Sequence, residues 1–449
     1  MNTSIANPGE GLRAQISIVW KLSIPAILTQ FTSMAMQYID SAMVGRLGAN
    51  ASAAIGLVTT STWLMNGVGF AIAAGFSVQV AQYIGAGEDY NARRVTRHGF
   101  LTSLIVSIVI MVIGILISNP LPRWLGGEEA LWADGSAYFM VYAITVPFLG
   151  MHRLASSFMQ SAGNMVVPSV LNAVTCLLDV VFNLILIPRY GVLGAGLGTG
   201  LATVVVCFPA LWFCCFRYEP LRLNRKESCP PDISILRRAV KIGTPVGAEH
   251  IAMSGAYVAA TAITAPLGAI AIAAHSFAVT AESICYMPGY GVSSAATTLV
   301  GQSIGANDYG LARRYSYITV AMGSAMMTLN GIIMFIFCPL VFAFLTPVQA
   351  VRSVAAQILR IELFSEPLYG ASMVASGALR GAEDTLVPSI MTLFSMWVVR
   401  LGLAVLLVPH YGIHGMWIAM TVELCFRGLI FLARLFTSGY LHPEKFHHF

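Results

Sequence analysis

Asp40 stands near the C-terminal end of a long apolar run that begins at Ile16 and ends near Val44. Asp179 and Asn183 lie four positions apart in a second apolar run, so they share one helical face. Thr199 lies about eight residues into the next run, or roughly 12 Å along a helix. A carboxylate inside a bilayer-spanning helix costs about 2.5–3.5 kcal/mol on insertion scales. It must therefore face the protein interior and find a partner or an exchangeable cation. Two carboxylates, an amide oxygen and a hydroxyl form an oxygen-rich set suited to a hard cation. Two neighbouring carboxylates also tend to share a proton. The competing reading is structural: a hydrated Asp near the interface, with Asp179 and Asn183 as a polar packing pair.

The second half holds further charges within apolar runs: Glu249, Glu282, Glu366 and Glu423, with Arg360, Arg400 and Arg427. Glu282 opens Glu282-Ser283-Ile284-Cys285-Tyr286-Met287-Pro288-Gly289-Tyr290, which is otherwise apolar apart from small hydroxyls. It is the leading candidate for a substrate-facing or second titrating carboxylate, against a structural ion pair with an Arg. Glu366, beside Pro367, also suits bonding to a backbone amide that the proline frees. Methionine and aromatic faces adapt to varied apolar ligands and attract organic cations. Glu249, Glu282, Tyr286, Met287, Trp63 and Arg400 thus form the candidate substrate set. His152, His250 and His275 are isolated and read as hydrogen-bonded packing residues. Eight cysteines show no metal-ligand spacing. No Ser–His arrangement, paired-Asp motif or metal-binding histidine pair occurs on one helix, so an intramembrane hydrolase is disfavoured. A passive channel is a minor alternative.

The elements that position these groups follow from composition. The chain is 57% hydrophobic and 10% charged over 449 residues, against about 25% charged in soluble domains. This indicates an all-α polytopic membrane protein. Twelve spans are expected, at roughly 16–44, 51–84, 94–118, 130–158, 165–188, 191–216, 236–263, 270–300, 313–345, 350–376, 386–409 and 412–436. Pro25, Pro147, Pro245, Pro288 and Pro367 should kink or break them. With the N-terminus inside, the inner segments collect most Lys and Arg, including Arg93, Arg94, Arg225, Lys226, Arg313, Arg314, Arg380 and Lys445. The outer loops hold only Arg46, Arg123, Arg189 and Arg352. The positive-inside rule then places both termini in the cytoplasm. The polar N-terminus leads into a run too long for a signal-peptide core, so no cleavage is expected. The net charge of +5 gives no reason to expect nucleic acid.

The two halves repeat. Ile84-Gly85-Ala86-Gly87-Glu88-Asp89-Tyr90-Asn91-Ala92-Arg93-Arg94 recurs 220 positions later as Ile304-Gly305-Ala306-Asn307-Asp308-Tyr309-Gly310-Leu311-Ala312-Arg313-Arg314. The same offset carries Pro25 to Pro245 and Pro147 to Pro367; one added residue then matches Pro188-Arg189-Tyr190-Gly191 to Pro409-His410-Tyr411-Gly412. Expected domains are a six-helix lobe at 1–216, a cytoplasmic linker at 217–235 and a second six-helix lobe at 236–449. Six spans per lobe give a parallel repeat about an axis along the membrane normal, which suits lobes that rock around a central cavity. The repeat also provides a control. Asp40, Asp179, Asn183 and Thr199 correspond to Ala260, Arg400, Ala404 and Met420. The second copy has lost every oxygen ligand, which favours a specific role for the first.

Asp40-Ser41-Ala42-Met43-Val44-Gly45-Arg46-Leu47-Gly48 resembles the first-helix motif of the multidrug and toxic compound extrusion (MATE) family. Thr298-Leu299-Val300-Gly301-Gln302-Ser303-Ile304-Gly305-Ala306 and Gly377-Ala378-Leu379-Arg380-Gly381-Ala382-Glu383-Asp384-Thr385 carry the same likeness. The resemblance spans essentially the whole chain and is nearest the bacterial, DinF-like branch. It implies a twelve-helix, two-lobed monomeric antiporter in the lipid bilayer that expels organic, often cationic or amphipathic, compounds against H+ or Na+ and needs no cofactor beyond that ion. It further implies a first-lobe site with an Asp on the first helix, an Asn and an Asp one turn apart on the fifth, and a Thr on the sixth. Asp40 and Thr199 match, whereas Asp179 and Asn183 stand in exchanged order, which leaves the coupling ion open. Acids that matter on the seventh and tenth helices of another branch do not carry over: the tenth-helix position is Tyr369, and Glu249 falls too early. A lipid-linked precursor flippase of the same superfamily is the runner-up, opposed by the acids that accompany the few buried cations.

Overall fold

The computed structural model describes residues 11–224, 227, 230–437 and 441. Arg225, Lys226, Lys445 and most of the polar N-terminal stretch lie outside the described residues. The rest is almost entirely helical. Leu12–Gly45 (α1), Ala49–Gly85 (α2), Asp89–Ser118 (α3), Glu129–Ser161 (α4), Val166–Tyr190 (α5) and Val192–Trp212 (α6) form the first repeat. Ile233–Thr264 (α7), Ala269–Gly305 (α8) and Tyr309–Leu345 (α9) open the second. The tenth helix, α10, is broken into Gln349–Glu362 and Glu366–Gly381 by a 3-10 turn at Leu363–Ser365. Pro367 sits in the first turn of the later piece, where its missing N–H is harmless. The eleventh, α11, runs through Leu386–Phe394, a π-helical stretch Ser395–Arg400 and Leu401–Tyr411; Ile413–Phe436 is α12.

Eight of these helices, among the described residues, are long and apolar enough to cross a membrane. The four that fall short are α1, α4, α7 and α10, two pairs of repeat equivalents. They are the helices that carry Asp40, Arg153, Glu249 and Glu362. α10 falls short because the 3-10 turn divides it into pieces of 14 and 16 residues, each shorter than the roughly 20 residues a bilayer span needs.

The repeat is written into the backbone. Positive φ occurs at Gly48 and Gly268 (111° and 90°), Gly87 and Asn307 (73° and 57°), Gly163 and Glu383 (91° and 59°), and Gly191 and Gly412 (59° and 56°). Each pair lies at the repeat offset. Left-handed backbone strains residues that bear a Cβ, so the geometry of the turns has been kept even where the glycine has not.

By contacts the described residues form two compact units, one within 28–247 and one of residues 11–27 with those from 248 to 437. The division runs through α1 and α7. In the first unit α4 is central, packing on α2, α3 and α6, while α5 packs on α6. Phe76, Phe100 and Phe158 are buried together, with Phe100 and Phe158 edge to face at 5.3 Å. In the second unit the later piece of α10 is central, against α8, α9 and α12. Trp417 is fully buried there and donates its indole N–H to His275 Nδ1 at 3.1 Å. Small residues allow close helix crossings. A Cβ on Gly243 would lie 2.4 Å from the Ala71 carbonyl oxygen in the first unit, and one on Gly291 would lie 2.6 Å from the Ile27 nitrogen in the second.

Candidate functional site

α5 carries Asp179 and Asn183 one turn apart because its buried face recurs as Leu171, Thr175, Asp179, Asn183 and Ile187, every fourth residue. Asn183 Nδ2 donates to Asp40 Oδ1 at 2.9 Å, which joins α5 to the C-terminal part of α1. Asp179, one turn from Asn183 on the same face, is fully buried and within electrostatic reach of the Asp40 carboxyl. Among the described residues, neither Asp179 oxygen, nor the Asn183 carbonyl oxygen, has a hydrogen-bond donor. Two neighbouring carboxylates without a donor between them repel in a low-dielectric interior. The arrangement becomes favourable when one carboxyl carries a proton or when a cation sits among the oxygens, so the donor set fits either.

Thr199 lies beside this cluster in sequence, one position after the glycine that touches it. A Cβ on Gly198 would lie 2.0 Å from Asn183 Oδ1, so only glycine lets α6 approach the amide. The Thr199 hydroxyl donates to Ala195 O at 3.2 Å, leaving its oxygen as an acceptor; no hydrogen bond joins it to Asp40, Asp179 or Asn183. Tyr138 on α4 packs with Val192 and Ala195 and lies within electrostatic reach of Asp40 and Asp179.

The second unit arranges its charges differently. Glu423 is fully buried and pairs with Arg400 at 3.0 Å and with Arg427 at 3.1 Å, and the Ser395 hydroxyl donates to it. Glu249 pairs with Arg380 at 3.2 Å and accepts from Ser389 Oγ at 2.8 Å. Arg400 and Glu249, two of the expected substrate residues, are thus engaged in ion pairs.

Glu282 is buried and, among the described residues, forms no ion pair; Arg400 and Arg427 lie within electrostatic reach of it, as it does of Glu362 and Glu366. Ser365 Oγ donates to Glu362 Oε1 at 3.1 Å. The remaining Glu362 oxygen and both Glu366 oxygens have no donor. The expectation that Glu366 bonds an amide freed by Pro367 is therefore corrected: α10 breaks at the preceding turn, and no such bond forms. Tyr286 packs edge to face with Tyr290 at 6.0 Å and Tyr369 at 5.9 Å, and Arg427 lies 5.4 Å over Tyr369. Met287 beside it is half-buried. Trp63 belongs to the first unit and is 53% exposed.

Four participants escaped the sequence reading. Gly198 and Tyr138 reveal themselves only through tertiary contact. Glu362 stands one turn before Glu366, a spacing that could have marked it. Arg153 is a cation in the middle of an apolar helix and should have been counted with Arg400.

A family model described as MatE matches residues 25–185 and again 245–406, once per repeat. Among curated relatives, the probable multidrug resistance protein NorM of Thermotoga maritima is 28% identical over 432 residues, covering 93% of this chain and 91% of its own length. The protein of the same name from Oceanobacillus iheyensis is 25% identical over 436 residues, covering 94% and 97%. Two solved structures share the fold. An outward-facing multidrug resistance MATE family transporter of the MOP superfamily has a TM-score of 0.89 at 19% identity, covering 95% of this chain and 97% of its own. A MOP superfamily transporter from Pyrococcus furiosus also has a TM-score of 0.89, at 18% identity, covering 94% and 96%.

Proposed function

We propose that this chain, which belongs to the MatE family, is a secondary active antiporter that expels organic, often cationic or amphipathic, compounds in exchange for H+ or Na+. Relatives described as multidrug resistance proteins, aligned over almost the full length of both chains, support the efflux reading. A single observation carries the coupling site: Asn183 joins Asp40 to the fifth helix at 2.9 Å, and the Asp179 and Asn183 oxygens beside it have no donor among the described residues. With the first helix running outward, this cluster faces the external half of the membrane. An entering proton or sodium ion relieves the repulsion between the carboxylates, and the gain is available only in a state that brings α1 against α5. The ion thereby biases alternating access, since a ligand shifts an equilibrium by its differential affinity for the two states. Thr199 supplies one more acceptor oxygen when the ion is a metal. In the second lobe, Glu282 and the tyrosines around Tyr286 offer negative charge and aromatic faces to a cationic substrate, with Met287 as adaptable lining. The lobes at 1–216 and 236–449, joined through a cytoplasmic linker, are the rocking bodies of a monomer in the inner membrane, with both termini in the cytoplasm.

The test is reconstitution in liposomes with a proton or a sodium gradient imposed separately, following efflux of a cationic dye. One gradient should drive export, and Asp40→Asn should abolish that drive while the protein remains folded. Wild-type export rates in Asp40→Asn would remove Asp40 from the mechanism.

A further inference from the structure

Arg153 projects from α4 into the interior of the first unit. Its Nη1 donates to the Asn66 carbonyl oxygen at 3.2 Å and its Nη2 to Asn66 Oδ1 at 3.2 Å, and its guanidinium lies 4.0 Å over the Phe70 ring. These are its partners among the described residues, and no carboxylate is among them. In the second unit Arg400 and Arg427 are held by Glu423 and Arg380 by Glu249, while Arg360 rests on the Phe335 carbonyl and ring. A guanidinium inside an apolar bundle needs a negative counter-charge, because neutral oxygen acceptors and a ring face offset only part of its lost hydration.

Beside it lies a cavity of about 20 Å³, lined by Asn66, Gly69, Ser107, Tyr142, Gly150 and Arg153 among others. That space accommodates one water-sized occupant, and it is far below the roughly 300–1,000 Å³ of a drug-sized pocket. Among the described residues the buried Ser107 hydroxyl makes no hydrogen bond, so an O–H donor is left on the wall of the cavity that Arg153 also lines.

The repeat shows that the void is particular to the first copy. Gly69, Ser107, Gly150 and Arg153 correspond to Gly289, Met327, Gly370 and Met373. A Cβ on Gly289 would meet the sulfurs of Met327 and Met373 at 2.6 and 2.7 Å, and one on Gly370 would meet Met327 Sδ at 3.0 Å. Two methionines fill the equivalent space in the second unit. In the first, a serine and an arginine replace them, leaving room, an O–H donor and positive charge together.

We propose that the Arg153–Ser107 cavity binds a monovalent anion of halide size, with chloride as the physiological occupant, held by the guanidinium and the serine hydroxyl. The anion neutralises Arg153 where α2, α3 and α4 meet.

The test uses the purified full-length protein in detergent, with thermal unfolding followed in chloride and in gluconate at one ionic strength. Gluconate is too large for the cavity. Chloride should raise the melting temperature of the wild type by about 2 °C or more, since a ligand of the native state stabilises it. The rise should vanish in Arg153→Met, the residue of the other repeat. It should vanish also in Gly69→Ala, which keeps the charge but puts a methyl group 3.4 Å from Arg153 Nη1. Gly69→Ala carries the test if Arg153→Met fails to fold. Crystals soaked in bromide should show an anomalous peak beside the guanidinium. The proposal is overturned if the wild type melts alike in both anions, if the chloride effect persists in Gly69→Ala, or if no bromide peak appears there.

Discussion

The same place in the two repeats carries opposite charge. In the first, Asn66 and Tyr142 lie beside Arg153, and Thr62 is bonded to both of them; 220 residues on, the equivalents of Thr62, Asn66, Tyr142 and Arg153 are Glu282, Tyr286, Glu362 and Met373. Asn66 Nδ2 donates to the Tyr142 hydroxyl at 2.5 Å, and Arg153 rests on Asn66, so the first version is cationic, its guanidinium held by neutral acceptors. The second is anionic and leaves the Glu366 oxygens without donors. Further along the chain the sign reverses again, with Asp179 in the first repeat and Arg400 in the second. Backbone geometry has been held while buried charge has been redistributed. Helix lengths and left-handed turns fix the fold, whereas interior polar residues are free to diverge because each unit need satisfy only its own.

The contrast makes Asp179→Asn and Glu366→Gln opposing tests. If the ion acts at the first-unit cluster, Asp179→Asn should lower gradient-driven efflux by a factor of about 100 or more, the loss of a group on which coupling depends. Glu366→Gln should keep the gradient dependence and weaken dye binding, seen as a raised KM in the same liposome assay. The reverse pattern would move the coupling site to the second unit.

Stability separates the units next. Glu423 serves two arginines, so Glu423→Gln leaves Arg400 and Arg427 buried without a countercharge. The expected cost is about 3–5 kcal/mol, the range for breaking a buried ion pair from one side. Thermal unfolding would read it as a large drop in melting temperature. Gly198→Ala tests the first unit more gently. The added methyl must displace Asn183 from Asp40, and efflux should fall about tenfold, with the substrate-binding step of the same assay unchanged.

Much of this was legible in the sequence, for definite reasons. Composition alone requires a membrane protein, and the Ile84–Arg94 recurrence fixes the repeat because turns with left-handed residues tolerate few substitutes. The pairing of Asp179 with Asn183 followed from helical period, and the approach of Asp40 from depth. What stayed hidden depends on tertiary contact. Gly198 reads as one small residue in a glycine-rich helix until Asn183 is placed against it. Arg153 stands inside an apolar helix, eight residues before its end at Ser161, and was open to notice; that its guanidinium turns to Asn66 is visible only in the packing. The 3-10 turn that breaks α10 lies just before Pro367, inside a run of apolar residues that reads as one continuous span. The contact division through α1 and α7 likewise follows from packing, since both helices read as continuous apolar runs.

The smallest expected effect tests whether equivalent turns are also energetically equivalent. Asp308 and Glu88 occupy the same N-cap position at the starts of α9 and α3. The shorter Asp308 side chain accepts the Leu311 backbone N–H at 2.8 Å, satisfying one of the free donors in the first helical turn. Glu88 makes no cap bond; its carboxylate instead accepts from Asn91 Nδ2 at 2.6 Å, on the exposed surface. An extra methylene carries the acid past the amide it would cap. Asp308→Ala should therefore destabilise the protein by about 1 kcal/mol, as loss of an N-cap does. Glu88→Ala should change stability by no more than about 0.5 kcal/mol, as exposed substitutions do. Equal shifts in the two variants would mean that turn conformation, conserved in both repeats, sets the helix starts and that the capping side chain adds nothing.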